Sequence, residues 1–145
     1  MKIADNILDL VGNTPLVYLN KVKSSDGARI AAKLESQNPG GSVKDRIGLW
    51  MVKDAIERGV LKPGGTIIEP TSGNTGVGLA LAAIVHGCKM IAVMPDKVPV
   101  EKIQLLQAYG AECVICPTDV DPEDPQSYYE TSKRLNREIE NSFLP

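Results

Sequence analysis

The sequence predicts an α/β protein of three layers, with helices on both faces of a mostly parallel sheet. From residue 66 onwards, short apolar runs alternate with helical stretches, which is the pattern of parallel strands joined by crossover helices. The runs are apolar at successive positions, as expected of strands covered on both faces. The helical stretch at 76–85 is apolar nearly all round and is therefore expected to be buried.

Each element is recognised by its apolar spacing and by the Gly and Pro residues around it. Strands are predicted over 14–19 and 29–35, with a polar loop over 23–28 between them. A long helix is predicted over 43–58, with Val43, Ile47, Trp50 and Met51 on one side and Gly59 past its end. Three strand–helix pairs follow, at 66–70 and 76–85, at 90–94 and 100–109, and at 112–116 and 126–140. Residues 143–145 resemble the start of another strand.

Composition narrows the class of protein. The 145 residues include 16 Lys+Arg, 18 Asp+Glu and 43% apolar residues, a balance that argues against a disordered chain. The sequence pI of about 5.4 argues against a nucleic-acid partner. Without an apolar run of about 20 residues, no membrane association is expected. The odd count of three Cys and the lack of a signal-peptide pattern favour a cytoplasmic location.

The strongest candidate site is Pro70-Thr-Ser-Gly-Asn-Thr-Gly76, between a predicted strand and a predicted helix. Backbone N–H groups at the start of a helix attract anions. Thr71, Ser72, Asn74 and Thr75 add four short polar side chains to this turn. The alternative is a turn that only caps the helix, although capping needs one such residue.

Two other phosphate-binding fingerprints fit poorly. Gly76 and Gly78 match the first two glycines of G-x-G-x-x-G, with Asp96 about 20 residues further on, but Leu81 occupies the third glycine position. Neither Gly-rich stretch offers the Lys-Ser/Thr pair of a Walker loop.

A second candidate site is Asn38-Pro-Gly-Gly-Ser-Val-Lys-Asp-Arg46. Ser42 and Asp45 have the spacing of a capping box at the start of the long helix. Lys44 then lies in the first turn, where the helix dipole opposes a cation and so favours a nucleophilic amine able to form a Schiff base. The alternative is that Lys44 simply points into water.

The Cys and His residues indicate no further chemistry. Cys113 and Cys116 form a C-x-x-C without a second ligand pair, so packing is the expected role, and Cys88 stands alone. His86 lies at the end of a predicted helix, and a structural role is expected. No metal site is predicted.

Taken together, the two motifs resemble the β-family, or fold type II, of pyridoxal-phosphate enzymes, whose fold is similar to that of the tryptophan synthase β subunit. The matching stretches are Asn38–Arg46, Glu69–Gly76, the opening Asp5-Asn-Ile-Leu and Val-Gly-Asn-Thr-Pro-Leu16, and Val93-Met-Pro-Asp96. Within this family the chain is most similar to cysteine synthase (O-acetylserine sulfhydrylase) and to the core of cystathionine β-synthase. Residues 111–120, 124–129 and 134–142 favour the second group.

The resemblance implies a role for each residue. Lys44 resembles the lysine that binds pyridoxal 5′-phosphate covalently and later moves the substrate's α-proton. Asn74 resembles the asparagine that bonds the cofactor's 3′-oxygen, and Thr71, Ser72, Asn74 and Thr75 resemble the loop that binds the substrate's α-carboxylate. The implied reaction is β-replacement on serine or an O-activated serine, with a thiol or sulfide as nucleophile.

The resemblance also implies how the chain is organised. Residues 1–40 are expected to belong to the larger domain of the full fold, and residues 41–145 to form the smaller αβα domain. The family's Gly-rich phosphate loop lies in the second half of the fold, so we expect these residues to be the N-terminal half of a two-part site. The partners implied are an amino-acid substrate and a second copy in a homodimer.

Overall fold

The structure, a computed structural model, describes residues 3–22 and 26–145. Two short 3₁₀ helices span Ile7–Leu10 and Glu35–Gln37. The strands are β1 (Leu16–Tyr18), β2 (Ala31–Lys33), β3 (Thr66–Pro70), β4 (Lys89–Pro95), β5 (Glu112–Cys116) and β6 (Ser142–Phe143). The helices are α1 (Lys44–Glu57), α2 (Asn74–His86), α3 (Val100–Ala108) and α4 (Tyr128–Glu138). Every predicted element is present, with its ends shifted by at most two residues. Part of the predicted loop 23–28 falls on residues 23–25, outside the described residues.

The central sheet is parallel and has the strand order β5-β4-β3-β6. In its register, Glu69 lies opposite Ala92 and Pro95 lies opposite Cys116. The chain therefore runs outward from β3 through β4 to β5 and then returns to the other side of β3. In open α/β sheets, ligands bind at the carboxyl ends of the strands, at the point where the strand order reverses. The end of β3 has that position.

Helices cover both faces of this sheet, which confirms the three-layer α/β prediction. Ile67, Ala92 and Met94 pack in one apolar cluster with the buried side chains of α1 and α2. Ile68, Ile91 and Val93 pack on the opposite face, against Leu135 and Ile139. Because successive residues of a strand point to opposite faces, the strands contribute to both clusters.

No helix among residues 3–22 and 26–145 is long and apolar enough to cross a membrane.

Helices α1 and α2 cross in unusually close contact. A Cβ atom added at Gly78 would lie 2.7 Å from the backbone oxygen of Lys44 and 3.1 Å from the Cα of Asp45. A Cβ atom added at Gly48 would likewise overlap the backbone of Gly78. These two glycines therefore let the first turn of α1 lie directly against the first half of α2.

This crossing changes which side of α1 is buried. The predicted apolar side is largely exposed: Trp50 is 60% exposed, Val43 46% and Ile47 40%. The buried side of α1 consists of Asp45, Gly48, Val52 and Ala55. The apolar side of α1 and its buried side therefore differ, because the close approach of α2 selects small residues rather than large ones.

The two strands of the N-terminal segment lie apart from the central sheet, whereas Leu8 packs in the apolar cluster of α1 and α2. Strands β1 and β2 form a separate antiparallel pair, with Val17 opposite Ala32. Leu16, Val17 and Tyr18 are all exposed. The side chain of Glu35 joins this segment to α1, because its carboxylate accepts two hydrogen bonds from Arg46, at 2.8 and 3.0 Å. The same carboxylate accepts a bond from Thr14 Oγ1 at 2.6 Å.

Candidate active site

An open, polar pocket of about 350 Å³ lies at the carboxyl end of β3. Its lining combines both of the motifs predicted from the sequence. The residues that line it are Lys44, Glu69, Pro70, Thr71, Ser72, Gly73, Asn74 and Thr75. The structure thus brings together the candidate lysine and the candidate carboxylate loop, which are 27 to 31 positions apart in the sequence. A larger hollow of about 530 Å³ beside residues 3–10 contains neither motif.

The loop Thr71–Gly73 is held by backbone bonds at its first residue. The N–H of Thr71 donates to the Val93 oxygen of β4 at 2.9 Å. The Thr71 hydroxyl oxygen accepts a bond from the N–H of Gly73 at 3.3 Å. Thr71 is buried. A Cβ atom added at Gly76 would lie only 2.7 Å from the methyl carbon of Thr71. A larger residue at position 76 would therefore push the loop away from the start of α2.

Among the described residues, no side chain caps the start of helix α2. Its N-cap residue is Gly73, which has no side chain to accept a hydrogen bond from the first turn. The unsatisfied N–H groups of the first turn and the positive end of the helix dipole therefore face the pocket. Asn74 and Ser72 are exposed beside them and Thr75 is partly exposed. This arrangement is suited to binding a small anion such as a carboxylate.

Lys44 is the first residue of α1 and thus lies in its first turn, as the sequence predicted. Its backbone N–H donates to Ser42 Oγ at 3.2 Å, and its backbone oxygen lies against Gly78. The side chain is exposed and lines the pocket. The crossing of α1 and α2 therefore determines where the amine lies relative to the start of α2.

The predicted capping box at Ser42 and Asp45 is wrong. The N-cap residue of α1 is Val43, and the Asp45 carboxylate accepts a bond from the N–H of Gly40, not from Ser42. Asp45 is 1% exposed, and its Oδ1 atom has no hydrogen-bond partner among the described residues. Burial raises the pKa of Asp45. Asp45 holds the Gly40 turn against α1, and that contact replaces the predicted one with Ser42.

Glu69 is a pocket residue that sequence reasoning missed. It lies in the second-last position of β3, on the same side of the strand as Ile67 and thus towards α1 and α2. Burial raises the pKa of Glu69 to about 7. A carboxyl group that is partly buried in a pocket and titrates near neutrality is typical of a functional site. The only sequence signal was an acidic residue inside an otherwise apolar strand.

The remaining candidates lie away from this pocket. Cys113 and Cys88 are partly buried, Cys116 is buried, and all three thiols are free. His86 lies in the last turn of α2, as expected. Among the described residues, no three His, Cys, Asp or Glu side chains cluster as metal ligands would.

Comparison with known proteins identifies the family. The sequence profile described as "Pyridoxal-phosphate dependent enzyme" matches residues 7–145. The chain belongs to this family. A cystathionine beta-synthase from Dictyostelium discoideum is 52% identical over 142 residues, 98% of this chain and 28% of that protein. A probable cysteine synthase from Bacillus subtilis (strain 168) is 48% identical over 145 residues, 100% of this chain and 46% of that protein.

Solved structures of the pyridoxal-phosphate dependent family share the fold. A hydrogen sulfide-producing enzyme from Fusobacterium nucleatum superposes with a TM-score of 0.89 at 39% identity, covering 100% of this chain and 46% of that one. The family match confirms the fold class and the cofactor, pyridoxal 5′-phosphate. The chain spans less than half the length of each of these three relatives.

The residues of the pocket fit part of that cofactor. Pyridoxal phosphate carries an aldehyde that reacts with a primary amine, and Lys44 supplies an exposed amine at the pocket. The exposed amide of Asn74 offers both a donor and an acceptor to a ring oxygen. The uncapped start of α2 remains available for an anionic group of another molecule, such as a substrate carboxylate.

Proposed function

We propose that this chain contributes the lysine and the substrate-binding loop of a pyridoxal-phosphate dependent β-replacement enzyme of the cystathionine β-synthase type. The observation that carries the proposal is the single pocket lined by both Lys44 and Thr71–Thr75. The bound cofactor would supply an electron sink for negative charge on the substrate's α-carbon. The substrates would be serine or an O-activated serine and a thiol or sulfide nucleophile.

Some residues of the chain would bind the substrate and cofactor, and Lys44 would also transfer a proton. The first amides of α2, with Thr71, Ser72, Asn74 and Thr75, would hold the α-carboxylate and so orient the amino acid. The Lys44 amine would hold the cofactor and, once released from it, accept the proton from the substrate's α-carbon at Nζ. Asn74 would bond the cofactor's 3′-oxygen as well as the substrate.

A second candidate reaction is that of a cysteine synthase, with O-acetylserine and sulfide as substrates. The 48% identity to the Bacillus subtilis protein supports it, whereas the 52% identity to the Dictyostelium protein favours the cystathionine β-synthase type. A third candidate is a non-catalytic fragment or interaction module of the same fold. The resemblance of residues 111–120, 124–129 and 134–142 favours the first candidate.

The domain assignment is also part of the proposal. Residues 1–40 would belong to the larger domain of the full fold, which is supported by the separate β1–β2 pair and its exposed Leu16 and Val17. Residues 41–145 would form the smaller αβα domain. We further propose a cytoplasmic homodimer that acts in cysteine and transsulfuration metabolism, as the resemblance implies.

The test is chemical trapping of Lys44. The protein is incubated with pyridoxal phosphate, reduced with borohydride and mapped by peptide mass. We expect the adduct on the peptide that contains Lys44 and its loss in Lys44→Ala. Lys53→Ala, a change of an exposed lysine on the same helix, is the matched control and should keep the adduct. Adducts scattered over many lysines would contradict the proposal for this chain.

Substrate pairs then separate the candidate reactions. In the longest natural form of the protein, serine with homocysteine is compared with O-acetylserine with sulfide. Turnover of the first pair supports the cystathionine β-synthase type. Turnover of the sulfide pair alone supports the cysteine synthase, and adduct formation without turnover of either pair supports the non-catalytic module.

A further inference from the structure

A lysine from a neighbouring helix contacts the carboxylate loop at its tip. The Nζ of Lys102, on α3, donates to the backbone oxygen of Ser72 at 3.2 Å. Thr71 and Gly73 are held by the bonds to β4 and to the Thr71 hydroxyl described above. Ser72, between them, is exposed and is held by the bond from Lys102. The conformation of the loop tip therefore depends on a side chain outside both sequence motifs.

The location of Lys102 brings positive charge to the carboxylate loop. It is the third residue of α3, where the helix dipole opposes a cation. Its ammonium group also lies beside the loop that leads into the uncapped start of α2, which carries partial positive charge of its own. Both positive features lie next to one loop, and both would attract an anion bound there.

We propose that Lys102 is a positioning residue for the amino-acid substrate, holding the Ser72 carbonyl so that loop 71–73 and the first amides of α2 receive the α-carboxylate. This inference rests on the proposed function of the loop. The bond to Ser72 fixes the loop tip, and the charge of Lys102 adds a longer-range attraction for the same anion. Lys102 itself does not line the pocket, so it acts through the loop.

The chain offers a matched control. Lys97 lies in the connection between β4 and α3, five residues before Lys102, and is exposed like it, but it donates no hydrogen bond within the described part of the chain. Lys97→Met and Lys102→Met therefore remove the same charge from the same region, and only the second change removes the contact with the loop. Lys102→Arg keeps both the charge and a donor.

The first measurement uses the protein without cofactor or substrate. Amide hydrogen exchange is followed in the peptide that covers residues 70–77. We expect exchange of the loop amides to be roughly three- to tenfold faster in Lys102→Met, because a charge-assisted bond is lost. Lys97→Met and Lys102→Arg should exchange as the wild type does. Unchanged exchange in Lys102→Met would overturn the proposal, whatever the activity of the protein.

The second measurement uses the cofactor-loaded enzyme in its longest natural form. We expect Lys102→Met to raise the KM for the amino-acid substrate roughly three- to tenfold with kcat within about twofold, because carboxylate binding is weakened. Faster loop exchange with an unchanged KM would overturn the role in substrate binding. Failure to trap Lys44 in the wild type would instead refute the proposed function, so the two failures are distinguishable.

Discussion

At the scale of single residues, the carboxyl group of Glu69 stands out because its environment opposes its charge. Burial raises its pKa to about 7, from an ordinary value of 4.5. The folded protein therefore binds more protons at this group than the unfolded chain does between these two pH values. The stability contributed by Glu69 is greatest below about pH 4.5 and falls as the pH rises to about 7.

Glu69→Gln removes this titration and should change the pH dependence of folding. Relative to the wild type, the free energy of unfolding of the variant should rise between pH 4.5 and pH 8, because the wild type alone must ionise a partly buried group. Water on the exposed part of the carboxyl reduces the size of the effect. Urea unfolding at pH 4.5, 6 and 8 measures it.

The control for this change is Glu112→Gln, which removes an exposed carboxylate from β5. Its difference from the wild type should stay constant with pH over the same range. If the Glu69→Gln difference were equally constant, burial would not govern this carboxyl group. The amide group itself can change the free energy of unfolding by an amount that does not depend on pH. This does not affect the test, because only the change of the difference with pH reports on burial.

At the scale of elements, the crossing of α1 and α2 fixes the distance between the amine and the loop. Gly78→Ala tests it, with two opposing effects. Alanine is favoured over glycine inside a helix by about 1 kcal/mol. The added Cβ, however, would lie 2.7 Å from the backbone oxygen of Lys44, which cannot rotate away. Overpacking of this kind costs about 1–3 kcal/mol, so the clash should prevail.

We therefore expect Gly78→Ala to lower the free energy of unfolding, by up to about 2 kcal/mol. It should also slow the trapping of Lys44 by pyridoxal phosphate, because the first turn of α1 is displaced. Urea unfolding and the trapping rate are the measurements. Ile84→Ala, on the side of α2 where Ile84 is 53% exposed, should change stability by no more than about 0.5 kcal/mol. Wild-type behaviour of Gly78→Ala in both assays would show that the helices can separate freely.

The same crossing shows where prediction from sequence succeeds and where it does not. Strands β3 and β5 were predicted with their observed ends, because short apolar runs between Gly and Pro residues define strands locally. The buried side of α1 was not, because an apolar stripe does not reveal that another backbone will occupy the opposite side. The capping box failed for a different reason: the Asp45 carboxylate accepts its hydrogen bond from Gly40, five residues earlier, rather than from Ser42.

The pocket was predictable in part for the same physical reason. Lys44 and the Thr71–Gly76 turn are recognisable because each lies at the start of a helix. There, the unsatisfied amides and the helix dipole attract anions and oppose cations. Glu69 and Lys102 were missed. The burial of Glu69 depends on the helices packed over β3, and the contact of Lys102 with Ser72 depends on where α3 lies. Neither relation is local in sequence.

At the scale of the whole molecule, one acidic side chain, Glu35, joins the N-terminal segment to α1, in addition to the packing of Leu8 in the apolar cluster. Glu35 accepts hydrogen bonds from Arg46 on α1 and from Thr14 and Asn38 within the segment. The hydrogen bonds from Arg46 and Thr14 are the main reason why the pKa of Glu35 is lowered to about 2. Since the unfolded value is about 4.5, this contribution to stability is fully present above that pH and is lost as the pH falls towards 2.

Acidification should therefore loosen residues 3–38 from the αβα layers, and Glu35→Gln should produce the same loosening at neutral pH. We expect the variant to unfold at lower urea than the wild type at pH 7 and the two midpoints to converge as the pH approaches 2. Glu57→Gln, which breaks only the exposed contact with Lys53 at 3.8 Å, is the control and should follow the wild type at every pH. A gap between the wild type and Glu35→Gln that persisted unchanged at pH 2 would contradict this account, because a protonated Glu35 can no longer form the ion pair with Arg46.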